Sequence, residues 1–313
     1  MAEKIATREA YGNALAELGE KYDFVVLDAD LAAATKTGVF KKKFPERFFD
    51  CGIAEGNMMT VAAGLAAAGK VPFASTFAMF AAGRAFEQIR NSIGYPHLNV
   101  KIGATHAGIT VGEDGATHQC LEDIATMRTI PGMVVINPAD AVEARAVVEA
   151  AINYNGPVYM RFGRLAVPVF NDAASYKFEW GKGINLKDGK DVTIVATGIM
   201  VDMALKAAET LANEGISARV INIHTIKPID RDILIDAAKS TGAIVTAEEH
   251  NVIGGLGSAV AEVVSETCPV PVVRVGVEDQ FGHSGKVPAL LEMYGLTPEN
   301  IVAKAKAAIA LKK

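Results

Sequence analysis

Residues 133–161 have the sequence MVVINPADAVEARAVVEAAINYNGPVYMR, and this stretch predicts the class of fold. Met133–Asn137 and Val158–Arg161 are short apolar runs typical of buried strands. The residues between them, 139–154, predict a helix. A strand, a helix and a second strand in this order form the unit from which parallel sheets are built.

The same alternation extends along the chain in both directions. It is interrupted between Phe162 and Asp191 by proline, glycine and Asn-Asp turn residues, and it restarts at Val192–Ala196. We therefore expect an α/β fold made of two doubly wound domains with mostly parallel sheets. The predicted division is a first domain at residues 1–165, a linker at 166–190 and a second domain at 191–313.

The composition bounds the class of protein. Of the 313 residues, 50% are hydrophobic and 21% are charged, which excludes intrinsic disorder because disordered chains are poor in apolar side chains. No apolar run reaches the roughly 18 residues that a membrane-spanning helix needs. The N-terminus lacks a signal-peptide pattern, and the three cysteines show no CxxC spacing. We expect a cytoplasmic protein with reduced thiols and no membrane contact.

The charge distribution argues against nucleic acid as a partner. Lys and Arg number 31 against 36 Asp and Glu, which gives a net charge of −5. The cations do not form the runs that bind a phosphate backbone. The densest basic patch, residues 41–43, is expected to be a solvated loop.

Functional residues are expected in the loops that follow strands, because open parallel sheets bind ligands beyond the carboxyl ends of their strands. Four such loops carry polar residues, at 28–37, 52–56, 105–119 and 161–164. The loop at 105–119 is glycine-rich, contains two histidines and two acids, and has no regular period. Ordered loops of this kind are usually functional. The 11-residue gap between His106 and His118 matches no common metal-ligand spacing, so no metal site is predicted.

Two further features have a structural and a functional interpretation. Glu55 opens a helix of small and apolar residues, where the helix dipole alone favours an acid. Phe77 and Phe80 are three residues apart at a predicted strand-to-helix turn. Such a pair belongs either to the core or to the wall of a pocket that binds a ring.

These segments resemble transketolases over nearly the whole chain. In the first predicted domain the resemblance is carried by GIAEGNMM at 52–59, STFAMF at 75–80, RAFEQIR at 84–90 and above all GEDGATHQ at 112–119. In the second it is carried by residues 227–230, 248–257, 279–285 and 300–306. The resemblance implies a thiamine-diphosphate-binding pyrimidine domain followed by a transketolase C-terminal domain. It therefore implies the C-terminal half of a split transketolase, which transfers two-carbon ketol units between sugar phosphates.

The resemblance implies specific cofactor contacts. Glu55 matches the glutamate that bonds to the N1′ atom of the pyrimidine. Phe77 and Phe80 match the aromatic residues that stack on and flank that ring. The third aromatic residue of the family cluster falls at Gly83, so the pocket wall is expected to be thinner or filled from elsewhere.

The resemblance also implies substrate contacts. His118 matches the histidine that bonds the carbonyl and hydroxyl end of the ketose, and Asp114 matches the carboxylate that recognises a sugar hydroxyl. His106 and Arg161 match residues that hold the terminal phosphate of the substrate, a task that suits the planar guanidinium of arginine. The expected catalytic residues are Glu55, His106, Asp114 and His118.

The family's first domain has no counterpart in this sequence. That domain holds the cofactor diphosphate and a divalent metal through a Gly-Asp-Gly motif, and no Gly-Asp-Gly occurs here. The resemblance implies a partner subunit that carries this domain and binds Mg²⁺ or Ca²⁺, in a 2+2 heterotetramer. Ala34 falls where the family has a phosphate-contacting serine, so either Thr35 replaces it or sugar-phosphate affinity is weaker.

Three alternatives are distinguishable on the residues. 1-Deoxy-D-xylulose-5-phosphate synthase has the same architecture, but it typically has an aspartate at the position of His106, so a half-enzyme of that type is less favoured. A non-catalytic regulatory or interaction module of the same fold is suggested by Ala34, Gly83 and the missing domain. Residues 254–257 partly resemble a dinucleotide loop, but Val260 replaces its third glycine, which argues against NAD.

Overall fold

The computed structural model describes residues 3–312. Its strands are β1 (Lys4–Ala6), β2 (Val25–Asp28), β3 (Phe48–Asp50), β4 (Pro72–Phe77), β5 (Lys101–Thr105), β6 (Val134–Ile136), β7 (Val158–Arg161), β8 (Ala166–Pro168), β9 (Ile184–Lys187), β10 (Val192–Ala196), β11 (Ala218–Asn222), β12 (Thr225–Lys227), β13 (Ile244–Asn251) and β14 (Val272–Val277). Its α-helices are α1 (Thr7–Leu18), α2 (Ala32–Thr35), α3 (Gly38–Lys43), α4 (Glu55–Ala67), α5 (Phe86–Gln88), α6 (Asp123–Arg128), α7 (Ala141–Asn153), α8 (Met200–Asn213), α9 (Arg231–Thr241), α10 (Leu256–Thr267), α11 (Val287–Met293) and α12 (Pro298–Ala310). None of the helices formed by these residues is both long and apolar enough to cross a membrane.

The first sheet has seven strands in the order β12-β6-β7-β5-β4-β2-β3. All neighbours are parallel except β12, which runs antiparallel to β6. Every residue of β2, β4, β5 and β7 is buried, as expected when helices cover both faces of a sheet. Tyr11 and Val147, from α1 and α7, lie in the core on one face. Met58 and Ile124, from α4 and α6, lie in the core on the other.

The second sheet has five strands in the order β14-β13-β10-β11-β9, of which only β9 is antiparallel to its neighbour among the described strands. Ala204 of α8 and Ile301 of α12 belong to one of its cores. Leu234 of α9 and Val260 of α10 belong to the core that also contains Met58 of the first sheet's region. The predicted α/β fold with mostly parallel sheets is confirmed.

The two sheets are joined more closely than the predicted division of the chain suggests. Strand β12 leaves the second sheet's region and pairs with the edge of the first sheet, where Thr225 lies opposite Ile136. The segment 166–190, predicted to be a linker, contains β8, which pairs with β1, and β9, which pairs with β11. The backbone N–H of Asn171 in this segment donates to Asp140 Oδ2 at 2.8 Å.

The segment after Phe77, where the sequence predicted a turn from a strand into a helix, is different in the structure. Strand β4 continues to Phe77, and residues 80–94 form widened turns on both sides of the short α5. In these turns an N–H bonds to the carbonyl five residues earlier, as from Ala85 to Phe80 at 3.1 Å. Widened turns of this kind are frequent at functional sites.

Candidate active site

The candidate site lies where neighbouring parallel strands of the first sheet end. Phe77 is the last residue of β4 and lies opposite Thr105, the last residue of β5. His106 follows Thr105 directly and has a positive φ of 55°, which turns the chain away from the strand. The carboxyl ends of adjacent parallel strands therefore bring the segments 75–80 and 105–119 together, as the sequence predicted.

Aromatic rings form the floor of the site. The rings of Phe77 and Phe80 are stacked, with centroids 5.5 Å apart and an interplanar angle of 16°. The imidazole of His106 stacks on Phe77 at 3.8 Å. His118 meets Phe80 edge-on at 5.4 Å. Two phenylalanines and two histidines from two separate segments therefore form one continuous surface.

Glu55 lies beside this surface at the start of α4. Its side chain is 1% exposed, and Arg84 Nη1 donates to both carboxylate oxygens, at 2.9 and 2.8 Å. The Arg84 guanidinium also lies over the ring of Phe80, 4.7 Å from its centroid. Arg84 therefore links the buried carboxylate to the aromatic floor, although its own side chain is 53% exposed.

His106 is held as a neutral imidazole. Its Nε2 lies 2.9 Å from Arg8 Nη1 and its Nδ1 lies 2.9 Å from Thr105 Oγ1. Because arginine only donates hydrogen bonds, Nε2 accepts and the ring proton resides on Nδ1. Burial, together with the positive charges of Arg8 and Arg164, lowers the pKa of His106 to about 3.

Three cations surround His106. Arg8, at the start of α1, also donates to the Ala34 carbonyl at 2.9 Å, and its buried Nε has no hydrogen-bond partner among the described residues. Arg164 donates to the Val111 carbonyl and lies 3.7 Å from Glu113. Lys36 also lies close enough to help lower the pKa of His106. The arrangement is a positively charged pocket wall suited to an anionic group.

The loop 28–37 is organised by a buried acid. Asp28 accepts hydrogen bonds from the hydroxyls of Thr35 at 2.7 Å and Thr37 at 2.8 Å and from the Leu31 N–H at 2.6 Å. Burial raises the pKa of Asp28 to about 6. Thr35 is therefore engaged inside the loop, and it is the backbone carbonyl of Ala34 that meets Arg8.

The loop that carries Asp114 and His118 is a tight turn between the strand end and α6. Residues 109–114 form two short 3₁₀ turns that are interrupted at Gly112, and Gly112 and Gly115 have φ of 84° and 77°, which favour glycine. Asp114 is exposed at the end of this turn. His118 is half-buried, and its Nδ1 lies 2.9 Å from Thr117 Oγ1.

The structure corrects one predicted substrate contact. Arg161 was expected to hold a substrate phosphate, but its side chain is 3% exposed and faces the interior. Its Nε donates to Asp123 Oδ2 at 2.9 Å and its Nη2 to the carbonyl of Glu249 at 2.9 Å. Arg161 is the last residue of β7, a strand that is buried along its whole length, and its guanidinium pairs with the buried acid Asp123.

Sequence reasoning missed Arg8 and Arg164 as members of the site. Arg164 lies in the loop 161–164, which follows a strand and was predicted to carry functional residues. The prediction therefore identified the correct loop but chose Arg161 instead of Arg164. Arg8 lies 98 residues before His106 in the chain, and nothing in its local sequence marks it.

Comparison with known proteins agrees with this geometry. Residues 3–169 match the model of the transketolase pyrimidine-binding domain, and residues 181–301 match the model of the transketolase C-terminal domain. A protein named as a transketolase C-terminal section of Methanocaldococcus jannaschii is 53% identical over 300 residues, covering 95% of this chain and 94% of that protein. A 6-deoxy-6-sulfo-D-fructose transketolase subunit of Clostridium sp. is 48% identical, covering 95% and 92% of the two chains.

A solved structure described as an inactive β4 tetramer of a split-gene transketolase is 59% identical and has a TM-score of 0.92. The similarity extends over 99% of this chain and 100% of the chain in that structure. A pyrimidine-binding domain of this family implies dependence on thiamine diphosphate. The chain belongs to the transketolase family, as a C-terminal section that contains the pyrimidine-binding and C-terminal domains.

Proposed function

We propose that this chain is one subunit of a thiamine-diphosphate-dependent transketolase that moves two-carbon ketol units between phosphorylated sugars. The observation that carries the proposal is the buried carboxylate of Glu55 beside the stacked rings of Phe77 and Phe80, with His106 and His118 on the same surface. A carboxylate, a flat aromatic face and two imidazoles are the groups that bind a nitrogen heterocycle next to a hydroxylated substrate.

The residues present fit the pyrimidine half of the cofactor. A carboxylate at an apolar edge suits a hydrogen bond to a ring nitrogen, and the half-buried ring of Phe80 suits contact with a stacked ring. When bound, thiamine diphosphate supplies the nucleophilic carbon that accepts the ketol unit. Glu55 would hold a proton at the ring nitrogen, and Phe77 and Phe80 would fix the plane of the ring.

Arg84 has to leave Glu55 for this contact to form. In the structure Arg84 donates to both carboxylate oxygens and covers the ring of Phe80. Its exposed side chain can move into solvent without disturbing the core. Arg84 therefore keeps a buried charge paired until the ring nitrogen takes its place.

The charged pocket wall supports an anionic substrate. Arg8 and Arg164 can donate to an anionic oxygen near His106, and the neutral Nε2 of His106 can accept from a substrate hydroxyl in place of Arg8. Asp114 and His118 would bond the hydroxyl and carbonyl groups at the other end of the sugar. The relative named as a transketolase subunit for a sulfo-sugar also takes a substrate with an anionic end.

The partner subunit is part of the proposal. The sequence lacks the Gly-Asp-Gly motif that holds the diphosphate and Mg²⁺ or Ca²⁺ in the family, so a second chain would supply it, in a 2+2 assembly. A similar protein is described as an inactive β4 tetramer of a split-gene transketolase, and this description supports a division of the enzyme between two chains.

The test is reconstitution of the two subunits. The purified chain is mixed with the chain that carries the Gly-Asp-Gly domain, saturated with thiamine diphosphate and Mg²⁺, and supplied with xylulose 5-phosphate and a panel of aldose acceptors. We expect ketol transfer by the pair and none by either chain alone. A correctly assembled pair that binds the cofactor and transfers nothing from any donor would favour a non-catalytic module instead.

A further inference from the structure

The loop 106–119 makes many of its contacts with residues of the C-terminal domain. Ile109, within the loop, is completely buried in the same apolar core as Val277 and Leu290 of the second half of the chain. Helix α11 packs against the 3₁₀ turn at 109–114. The loop is therefore seated on a domain to which no contact with cofactor or substrate has been assigned.

Glu249 makes a direct hydrogen bond from that domain to the loop. It lies in β13, is 3% exposed, and its Oε1 accepts the backbone N–H of Thr110 at 2.7 Å. Thr110 is itself buried, so its N–H has no water to replace this acceptor. Gly108 lies so close that an added Cβ would come within 2.2 Å of the Glu249 carboxyl carbon.

A second contact holds the other end of the loop. Gln119 Nε2 donates to the His283 carbonyl at 2.9 Å, and also to the carbonyls of Ile109 at 3.2 Å and Gly112 at 3.1 Å. One amide therefore ties both arms of the turn to the segment that precedes α11. A Cβ at Gly115 would lie 2.4 Å from Ser284 Oγ, which shows how tightly the two segments fit.

Glu248, the neighbour of Glu249, has a different use. It is also buried, but its oxygens accept the N–H groups of Leu256 at 2.6 Å and Gly257 at 2.8 Å, at the start of α10. Glu248 thus stabilises its own domain, whereas Glu249 reaches out of it. The contacts of Glu248 therefore stabilise the C-terminal domain itself, and the contact of Glu249 holds the loop.

We infer that the C-terminal domain braces loop 106–119, which means that it fixes the conformation of the loop. Glu249 and Gln119 are then positioning residues that hold Asp114 and His118 in place. The inference rests on the proposed function for the role of these two side chains, but the brace itself is independent of any reaction. Without these contacts, the loop would still be connected to β5 and α6 but would lose its fixed conformation.

The brace is tested by hydrogen exchange on the full chain at one pH. Glu249→Ala removes the acceptor of the Thr110 N–H, and we expect amides in 106–119 to exchange at least tenfold faster. Glu249→Gln keeps an acceptor oxygen and should restore most of the protection. The matched control, Glu248→Ala, should speed exchange at the start of α10 without a selective effect on the loop.

A second variant covers the case in which Glu249→Ala does not fold. Gln119→Met keeps the volume of the side chain and removes its donated hydrogen bonds, and it should give the same loop-limited increase. Unchanged exchange in 106–119 for the folded variants, or equal loosening by Glu248→Ala, would overturn the inference.

The reconstituted pair supplies a second readout. Because Glu55, Phe77 and Phe80 lie outside the loop, we expect Gln119→Met to raise KM for the donor sugar at least fivefold while the affinity for thiamine diphosphate stays within twofold. Equal losses in both affinities would contradict a loop-specific role. If the wild-type pair transfers nothing, the proposed function fails, and the exchange measurement still decides the brace.

Discussion

Arg161 and Arg164 are three residues apart and have opposite environments. Arg161 is buried against Asp123, whereas Arg164 is partly exposed beside His106 and the loop carbonyl of Val111. A buried guanidinium that pairs with a carboxylate contributes to the fold, and a partly exposed one at a pocket wall is free to bind an anion. Truncation of Arg161 is therefore expected to lower the stability of the fold, and truncation of Arg164 is expected to weaken the binding of an anion.

Truncation of these arginines gives the first prediction. Arg161→Ala leaves Asp123 buried without its partner, and it should lower the free energy of unfolding by about 3–5 kcal/mol. Arg164→Ala should leave stability nearly unchanged and raise KM for a phosphorylated donor about ten- to a hundredfold. Urea unfolding and steady-state kinetics of the pair measure the two effects. A stable, fully folded Arg161→Ala variant with a raised KM would reverse the assignment.

Arg84 gives a second prediction at the residue scale. Under the proposed function, Arg84 releases Glu55 before a ring nitrogen bonds to that carboxylate. Arg84→Ala should therefore tighten thiamine diphosphate binding to the pair by about fivefold, which corresponds to ~1 kcal/mol, because no ion pair has to be broken. Equilibrium titration measures this affinity. Arg90→Ala is the control, because Arg90 is exposed and bonds to its neighbour Asn91. Weaker binding by Arg84→Ala would show that the arginine assists the cofactor.

His106 gives a pH prediction. Its pKa in the folded chain is lowered to about 3, whereas an unfolded histidine titrates near ~6.5. The unfolded state therefore binds the proton first, so the stability that neutral His106 contributes is present above about pH 6.5 and is lost as the pH falls toward 3. The stability advantage of wild type over His106→Asn should shrink by up to about 2 kcal/mol between pH 7.5 and 5. Denaturant unfolding at both pH values measures it, and a constant difference would contradict a neutral His106.

At the scale of elements, the strand ends and the loop after β5 decide the site. Parallel strands bring their carboxyl ends to one edge, and the widened turns at 80–94 place Phe80 and Arg84 against the start of α4. The 3₁₀ turn at 109–114 then returns the chain so that His118 meets Phe80. The site is thus assembled from short, glycine-containing connections between rigid strands.

Gly108 tests the importance of this packing. Its φ of 81° and the close approach of Glu249 leave no room for a side chain, so Gly108→Ala should displace the loop and reduce ketol transfer more than tenfold. The control is Gly64→Ala in α4, where an added Cβ meets nothing within 4 Å. That change should stabilise the helix by roughly 0.5–1 kcal/mol without altering turnover. Similar kinetics for the two variants would contradict the role given to the loop.

The sequence predicted those parts of the site that lie in single segments after strands. Phe77, Phe80, His106 and His118 are close in space because β4 and β5 are adjacent parallel strands that end together. Arg8 could not be predicted in this way, because its contact with His106 depends on how α1 packs across the sheet.

The same limit applies to the fold. The alternation of apolar runs predicted strands and helices, and with them the parallel sheets. It could not predict that β12 pairs with β6 of the other sheet, because a three-residue edge strand has no periodicity and its partner lies about 90 residues earlier, at Ile136. Nor could it distinguish Arg161 from Arg164, because the burial of Arg161 depends on contacts with Asp123 and Glu249, which lie 38 and 88 residues away in the chain.

At the scale of the whole molecule, the proposed function gives this chain part of an active site, carried on a framework of two joined sheets. One edge of the first sheet presents Glu55, the phenylalanine pair and the histidines, and the C-terminal domain holds the loop that completes them. Under the proposed function, the partner subunit faces this edge and supplies the diphosphate and metal contacts. Activity would then belong to the assembly, and each subunit would fold without it.

The most direct test is turnover by the reconstituted pair with Glu55→Gln in place of the wild-type chain. The substitution keeps the size of the side chain and removes the carboxylate, so assembly and the unfolding transition should be unchanged. We expect ketol transfer to fall by about a hundredfold or more, the range lost when a positioned acid–base group is removed. Turnover within a few-fold of wild type, in a pair that still binds thiamine diphosphate, would contradict the account.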